Sequence, residues 1–524
     1  MTSSRPGSGD SDSIAGRLHI WSAGVLLAAV TFLSGCSEPE KGKPNIILII
    51  ADDLGYGDTG PYGQSKIETP NIDKLAAEGL RFTHFYAGSP VCAPSRCVLL
   101  TGMHTGHSQV RGNDEWAERG DVWSYRAMIA DSTLEGQKPM ADSTVTIASL
   151  LQKNGYITGA VGKWGLGAPH TGGSPVRQGF DFFFGYNCQR IAHTYYPTHL
   201  WRNDHRVWLR NDTLAPHTGF DPEADPLDPA SYEKFSLADY APDLMFREML
   251  GFIDSCSGRP FFLYWATPIP HLALQAPAGW VDRYHEKFGD EPPYNGNEGY
   301  FPARYPHAAY AAMISYLDDQ IGSLIAHLKE KGLYENTIIF FTSDNGPAWS
   351  AGTDPEWFAS ASPFRGTEGY GKGSLNEGGI RVPLIASWPG VTEPGGVTGH
   401  VSAFQDFLPT ISEITGSEIP GDADGISFLT VLRGGKQREH DYLYWEFPEY
   451  GGQQAVLIGK YKALRKGMHN GNDAFALYDL ENDPQETVDI SADHPEIMKR
   501  VGEIVRKEHN ASPNPRWRYR LLGE

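Results

Sequence analysis

Several short stretches of this chain combine residue types that can do chemistry. The first is Cys92-Ala93-Pro94-Ser95-Arg96, continuing as Cys97-Val98-Leu99-Leu100-Thr101-Gly102. Pro94 suits the first turn of a helix, because it has no N–H to leave unsatisfied. Gly102 suits the other end, where a left-handed residue closes a helix. Cys92 is thereby predicted just before a helix N-terminus, where free N–H groups and the positive dipole end favour an anion. Arg96, about one turn in, adds a planar cation. The corner is suited to a tetrahedral oxyanion.

Two pairs of oxygen donors follow apolar runs: Asp52-Asp53 and Asp344-Asn345. A hard cation such as Ca²⁺ wants several oxygens and few nitrogens. Alone, Asp52-Asp53 reads more readily as a turn or a helix cap and Asp344-Asn345 as a turn; together with the Cys92 stretch the balance reverses. Lys163, in Gly162-Lys163-Trp164-Gly165, is expected in a tight, partly covered loop. Lys372 lies in Gly371-Lys372-Gly373-Ser374, where glycines let the backbone approach a ligand. His271 follows an apolar run and can take or give a proton near neutral pH. His193, Arg111, Asn113, Trp116, Tyr195, Tyr196 and Trp201 lie in loops near these motifs; the aromatic ones read as cleft wall or as packing.

The elements that must position these groups are legible. Asn45–Ile50, Tyr156–Val161, Phe261–Ala266 and Thr337–Thr342 are short apolar runs, as expected of buried strands. Thr69-Pro70 to Gly79, Val145–Asn154, Ala311–Lys331 and Phe404–Gly416 read as helices. Strands alternating with helices predict an α/β fold with a mainly parallel central sheet flanked by helices. In such sheets, ligands bind outside the carboxyl ends of the strands. From about Gln437 the character changes. Tyr442–Phe447, Ala455–Ile458, Lys460–Arg465 and Leu477–Leu480 read as strands, and Pro495–Glu508 as a helix, giving a small C-terminal antiparallel-sheet subdomain. The expected boundaries are 44–436 and 437–524.

The Cys92 stretch resembles C-x-P-S-R-x-x-L-x-T-G, the signature of the type I sulfatases, in the alkaline phosphatase-like superfamily. The resemblance runs from about Pro44 into the C-terminal subdomain. It implies that a maturation enzyme oxidises Cys92 to a formylglycine aldehyde. It implies that Asp52, Asp53, Asp344, Asn345 and the modified Cys92 hold one Ca²⁺. It implies that Arg96, Lys163 and Lys372 hold the sulfuryl oxygens and that His271 protonates the leaving oxygen. Lys372-Gly373-Ser374 to Arg381-Val382-Pro383 resembles the second active-site lysine segment of that family, and Tyr478-Asp479-Leu480 its late Y-D-L turn. The implied activity is hydrolysis of sulfate esters, and an exported, anchored enzyme of this kind is expected to act on sulfated carbohydrate. Many members carry a histidine two residues after the first lysine, where this chain has Gly165; His193 is the expected substitute, with His170 also near in sequence. Two alternatives stay open: a phosphate or phosphonate ester hydrolase of the same superfamily, and a lipoprotein that binds sulfated glycan without turnover.

Composition bounds the rest. The 524 residues are 40% hydrophobic, enough for a large core, and carry Lys+Arg 44 against Asp+Glu 64, a net charge of -20. Such a surface does not attract nucleic acid as a whole, and a polyanionic substrate needs a local basic pocket. Arg17 precedes an apolar run from Ile20 to Phe32 that is too short to span a bilayer. It ends in Leu33-Ser34-Gly35-Cys36, which resembles a bacterial lipobox. Residues 1–35 are therefore expected to be a lipoprotein signal peptide, Cys36 the lipidated residue, and 36–43 a linker. The expected location is outside the cytoplasm, lipid-anchored to a bacterial membrane. Of five cysteines, Cys97, Cys188 and Cys256 remain, enough for at most one disulfide.

Overall fold

The computed structural model describes residues 42–524. The expected signal peptide, Cys36 and most of the expected linker lie outside the described residues. Among the described residues, no helix is long and apolar enough to cross a membrane.

The central sheet has ten strands. In chain order they are β1 (Asn45–Ala51), β2 (Leu80–Phe82), β3 (Ile157–Lys163), β4 (Phe182–Tyr186), β5 (His199–Arg202), β6 (His205–Trp208), β7 (Phe261–Ala266), β8 (Thr337–Ser343), β9 (Leu384–Ser387) and β10 (Gly396–Thr398). Their spatial order is β10-β2-β9-β8-β1-β7-β3-β4-β5-β6. The middle five, β8-β1-β7-β3-β4, are all parallel. Antiparallel pairings appear only towards the two edges.

The parallel strands are apolar on both faces because both faces are covered. In β1, Ile47, Ile49 and Ala51 enter one core, while Ile46, Leu48 and Ile50 enter the other. This is the two-residue alternation of a strand acting on an unbroken apolar run. Long helices Ala241–Ser255 and Pro306–Glu330 cover the first face. Cys92–Thr101, Ile147–Lys153 and Phe407–Thr415 cover the second.

Strands β11 (Leu443–Phe447), β12 (Gln453–Ile458), β13 (Tyr461–Lys466) and β14 (Ala476–Asp479) form the separate antiparallel sheet expected near the C-terminus. Trp445, Phe447 and Leu457 pack against Val91, Leu375 and Ile380. Tyr444, Val456 and Leu477 pack under the closing helix Pro495–Glu508. One face of this small sheet therefore braces the segments that carry Cys92 and Lys372. Lys462, wholly buried, pairs with Glu377 at 2.8 Å and Glu486 at 3.1 Å, and the Gln453 amide donates to the Gly373 carbonyl at 2.7 Å.

Candidate active site

Four adjacent strand ends supply the site. β1 runs into Asp52 and Asp53, β8 into Asp344 and Asn345, β3 ends on Lys163, and the loop after β7 carries His271. Because the strands are parallel, these ends open on one side of the sheet. Lys163 is the last residue of a buried strand, not part of a covered loop as expected. Its pairing with Tyr186 extends β3 past the left-handed Gly162, a glycine that in sequence looks like the start of a turn.

Cys92 opens its helix, with Val91 as the cap and Gly102 closing the other end at φ 71°. The Ala93 N–H donates to Asn113 Oδ1 at 2.9 Å. Cys92 Sγ is wholly buried, 3.2 Å from Asp52 Oδ1 and 3.5 Å from Lys163 Nζ. Burial, then the charge of Asp52, push the thiol well above the usual range against Lys163 and Lys372. A thiol held un-ionised is a poor nucleophile. Cys92 in its encoded form is thus the wrong species to attack an ester.

Around it the charges interlock. Lys163 Nζ donates to Asp52 Oδ2 at 2.6 Å, and Lys372 Nζ to Asp53 Oδ2 at 2.6 Å. Arg96 donates through Nε and Nη2 to Asp344 Oδ2 at 3.0 and 2.9 Å, and through Nη1 to the Lys163 carbonyl at 2.6 Å. Its Nη2 also lies 3.3 Å from Asp52 Oδ2. Arg96 therefore orders the carboxylates, with most of its donors engaged. Asn345 donates to Asp53 Oδ1 at 2.9 Å. Asp53 holds a left-handed φ of 65°, which costs a residue with a side chain roughly 1–2 kcal/mol. The conformation lets its N–H donate to Asp344 Oδ1 at 3.1 Å.

Burial opposes the charge on Asp52, but Lys163, His271 and Arg96 outweigh it and hold this carboxyl below its ordinary range. Asp344 is pushed up to about 7, by burial first and then by Asp52, against Arg96. His271 is pushed well below the ordinary histidine range by burial, then by Lys372 and Lys163. Its Nδ1 faces the Leu272 carbonyl at 2.5 Å. That contact places the proton on Nδ1 and leaves Nε2 as an acceptor, 3.7 Å from Asp53 Oδ2.

The donor set fits a hard dication. Ligand atoms of Asp52, Asp53, Cys92 and His271 all lie within 4.8 Å of one another. Asn345 Oδ1 is buried with no partner. Carboxylate and amide oxygens that crowd together in this way suit Ca²⁺.

A cleft of about 430 Å³ opens over the site, walled by Asn113, Gln189, His193, His271, Tyr300 and Lys372, among others. His193 stacks on His271, with centroids 5.2 Å apart, and its Nδ1 lies 3.0 Å from His217 Nε2. It makes no direct hydrogen bond to Cys92 among the described residues. Of the loop residues considered for a sugar cleft, only Asn113 and His193 line it. Arg111 is buried against Glu446, Trp116 stacks on Arg119, Tyr196 packs on Tyr240, and Trp201 donates to Glu135 at 2.6 Å. Tyr195 braces the His271 loop, donating to the Pro268 and His271 carbonyls at 2.7 and 2.8 Å. His170 is exposed and meets Trp201. Sequence proximity to a motif does not fix which way an irregular loop aims its side chains. Trp123, Arg190, His217, Tyr300, Trp349 and Tyr450 reach the cleft without any flag in their spacing. Cys92, Cys97, Cys188 and Cys256 are all free.

The sulfatase family profile matches residues 44–417, and the N-sulphoglucosamine sulphohydrolase C-terminal profile matches residues 368–510. The chain belongs to the sulfatase family. It is a sulfuric ester hydrolase. Bovine (Bos taurus) arylsulfatase A is 32% identical over 498 residues, covering 88% of this chain and 87% of its own. Human (Homo sapiens) N-acetylgalactosamine-6-sulfatase is 29% identical over 528 residues, covering 91% and 87%. Among solved structures, Ps i-CgsB in complex with k-i-k-neocarrahexaose superposes with a TM-score of 0.69 at 27% identity, over 89% of this chain and 93% of that one. Against this sulfatase background Gly165 has a local reason. Its φ is 75°, and a Cβ there would meet Gln189 Cγ at 2.6 Å. Gln189 fills the space that a larger residue at 165 would need, and donates to Asn113 Oδ1 at 3.2 Å.

Proposed function

We propose that this sulfatase removes sulfate from sulfated carbohydrate outside the cytoplasm, with Cys92 converted to formylglycine and Ca²⁺ held by Asp52, Asp53, Asp344, Asn345 and residue 92. The observation that carries the reading is that Asp52, Asp53, Cys92 and His271 bring ligand atoms within 4.8 Å of one another, with Asp344 and Asn345 hydrogen-bonded to Asp53 and Lys163 and Lys372 paired with Asp52 and Asp53. Conversion supplies a hydrated aldehyde as nucleophile, and the dication supplies charge stabilisation at the reacting oxygens. Lys163 and Lys372, both held protonated by buried carboxylates, stabilise negative charge as it develops. Arg96 keeps Asp344 and Asp52 in register.

His271 rests neutral. An anionic ester entering beside it raises its affinity for a proton, which it then delivers to the leaving oxygen. His193 is proposed to accept the proton of the remaining hydroxyl at residue 92 as sulfate is expelled and the aldehyde reforms, in place of the histidine absent at Gly165. Burial, first, pushes its pKa well below the ordinary range, which favours the unprotonated form. The carbohydrate reading draws support from the relative and the neighbour named above, one called N-acetylgalactosamine-6-sulfatase and one solved in complex with k-i-k-neocarrahexaose. The Leu33-Ser34-Gly35-Cys36 sequence supports export and lipid attachment.

Mass analysis of the peptide spanning residue 92, combined with sulfate release by Cys92→Ala, tests the mechanism. The peptide is expected to carry the aldehyde, and the variant to fold but release no sulfate. An unmodified thiol in a fully active protein refutes the formylglycine reading and leaves hydrolysis to another nucleophile.

A further inference from the structure

The cleft over the active site contains a guanidinium without a partner. Arg190 caps the short turn Ile191–His193. Its side chain makes no hydrogen bond or ion pair with any described residue, and its Nη1 is buried and unsatisfied. It packs on the face of Trp123, 5.1 Å from the ring centroid, and its charge is felt by the buried Glu115 and by His217. Trp123 is 57% exposed, and both residues wall the same cleft as Lys372, His193 and His271. A buried polar atom without a partner is costly, and in a native protein it calls for an explanation.

Neighbouring charges do not answer it. Lys372, the other cation in this wall, is committed to Asp53 at 2.6 Å. Glu115, the carboxylate in the wall, accepts from Gln137 at 2.6 Å and forms no ion pair with Arg190. Arg190 is thus the cation of the cleft left free among the described residues.

We propose that Arg190 and Trp123 form a subsite for a second oxyanion on the sugar. That group is a carboxylate or a second sulfate, next to the sulfate that is cleaved. The inference rests on the sulfated-carbohydrate reading. A guanidinium fork matches carboxylate and sulfate geometry with paired hydrogen bonds. The exposed indole offers a flat apolar face to the sugar ring beside it. A chain of net charge -20 repels a polyanion at large, so a free cation at the cleft decides which anionic sugars dwell there.

The test compares Arg190→Gln and Arg190→Lys with the parent on four esters. They are 4-nitrocatechol sulfate, N-acetylgalactosamine 6-sulfate, a disaccharide joining that sugar to a uronate, and a disulfated hexosamine. Arg190→Gln is expected to lower kcat/KM on a doubly anionic sugar roughly 10- to 100-fold, mainly through KM. The aryl ester and the singly charged sugar should stay within about threefold, and Arg190→Lys should recover part of the loss. A loss confined to the uronate arm identifies the carboxylate, and one confined to the disulfated arm identifies the second sulfate. Equal losses on all four esters, or none on either doubly anionic sugar, overturn the subsite.

Calorimetric binding of the same sugars to Cys92→Ala, with and without Arg190→Gln, judges the subsite apart from turnover. There too, no difference for both doubly anionic sugars overturns it. A parent that turns over the aryl ester but none of the sugars counts against the carbohydrate reading, while the binding comparison still decides the fate of Arg190.

Discussion

Lys163→Met separates a working charge from a structural one. The substitution keeps length and removes the ammonium. Lys163 is buried, 2.6 Å from Asp52 Oδ2 and 3.5 Å from the Cys92 sulfur. At an effective dielectric of about 20, a unit charge at that 3.5 Å separation interacts with the ammonium by about 5 kcal/mol. A transition state that develops roughly half a charge there keeps about 2.4 kcal/mol, on the order of 50-fold in rate. Loss of the directed hydrogen bond adds to this, so kcat should fall by ~10²–10³. The stability cost is smaller than the usual ~3–5 kcal/mol for a broken buried pair, because Asp52 keeps Arg96 at 3.3 Å. The assay is kcat and KM on a chromogenic sulfate ester, with thermal unfolding in parallel. Comparison is made at equal conversion of Cys92, read by peptide mass, so that poor maturation is not mistaken for poor chemistry. If activity stays within about tenfold of the parent while the melting temperature drops, Lys163 is a counter-ion of Asp52 and the stabilising role assigned to it is wrong.

The other predictions are shorter. Asp344→Asn, which keeps shape but removes an anionic oxygen, should weaken Ca²⁺ binding and cost activity that added Ca²⁺ restores only in part; unchanged rates after chelation and reconstitution refute metal dependence. His271→Ala should suppress the first release of alcohol in rapid-mixing kinetics, most strongly with poor leaving groups. His193→Ala should permit a first burst and then slow the steady state, and an unaltered steady state on a small ester would make His193 a substrate contact instead. Cys36→Ser should move the protein out of the membrane fraction, and equal partition of variant and parent would point to a different anchor.

The parallel sheet was legible because its strands are unbroken apolar runs, such as Asn45–Ile50 and Phe261–Ala266, each followed abruptly by polar residues. For the same reason the strand-end groups Asp52, Asp53, Asp344 and Asn345 could be assigned to one face before any coordinates. Lys163 was misplaced by a short distance, since a glycine with φ 116° sits inside its strand. The hairpin of β5 and β6 was not anticipated, as its residues are mixed and partly exposed. The cleft wall was least legible. Tyr450 arrives from the C-terminal sheet, and His217 stands in an irregular stretch at φ 73°. Nothing in local periodicity encodes such long-range meetings. The short strands after Gln437 were visible, but not their role in bracing the Lys372 segment through Gln453.

The charges at the base of the cleft explain how an acidic protein admits an acidic substrate. Asp52, Asp53 and Asp344 face Arg96, Lys163 and Lys372 in direct contact. Three carboxylates and three cations nearly cancel, so the side chains alone give a sulfate ester little net attraction in a chain of net charge -20. A dication on the carboxylates changes that balance. Held by Asp52 and Asp53, it would offset their charge and leave more of the charge of Lys163 and Lys372 available to an incoming anion. Metal and substrate would then bind cooperatively, because the two lysines and the cation share the same carboxylate oxygens.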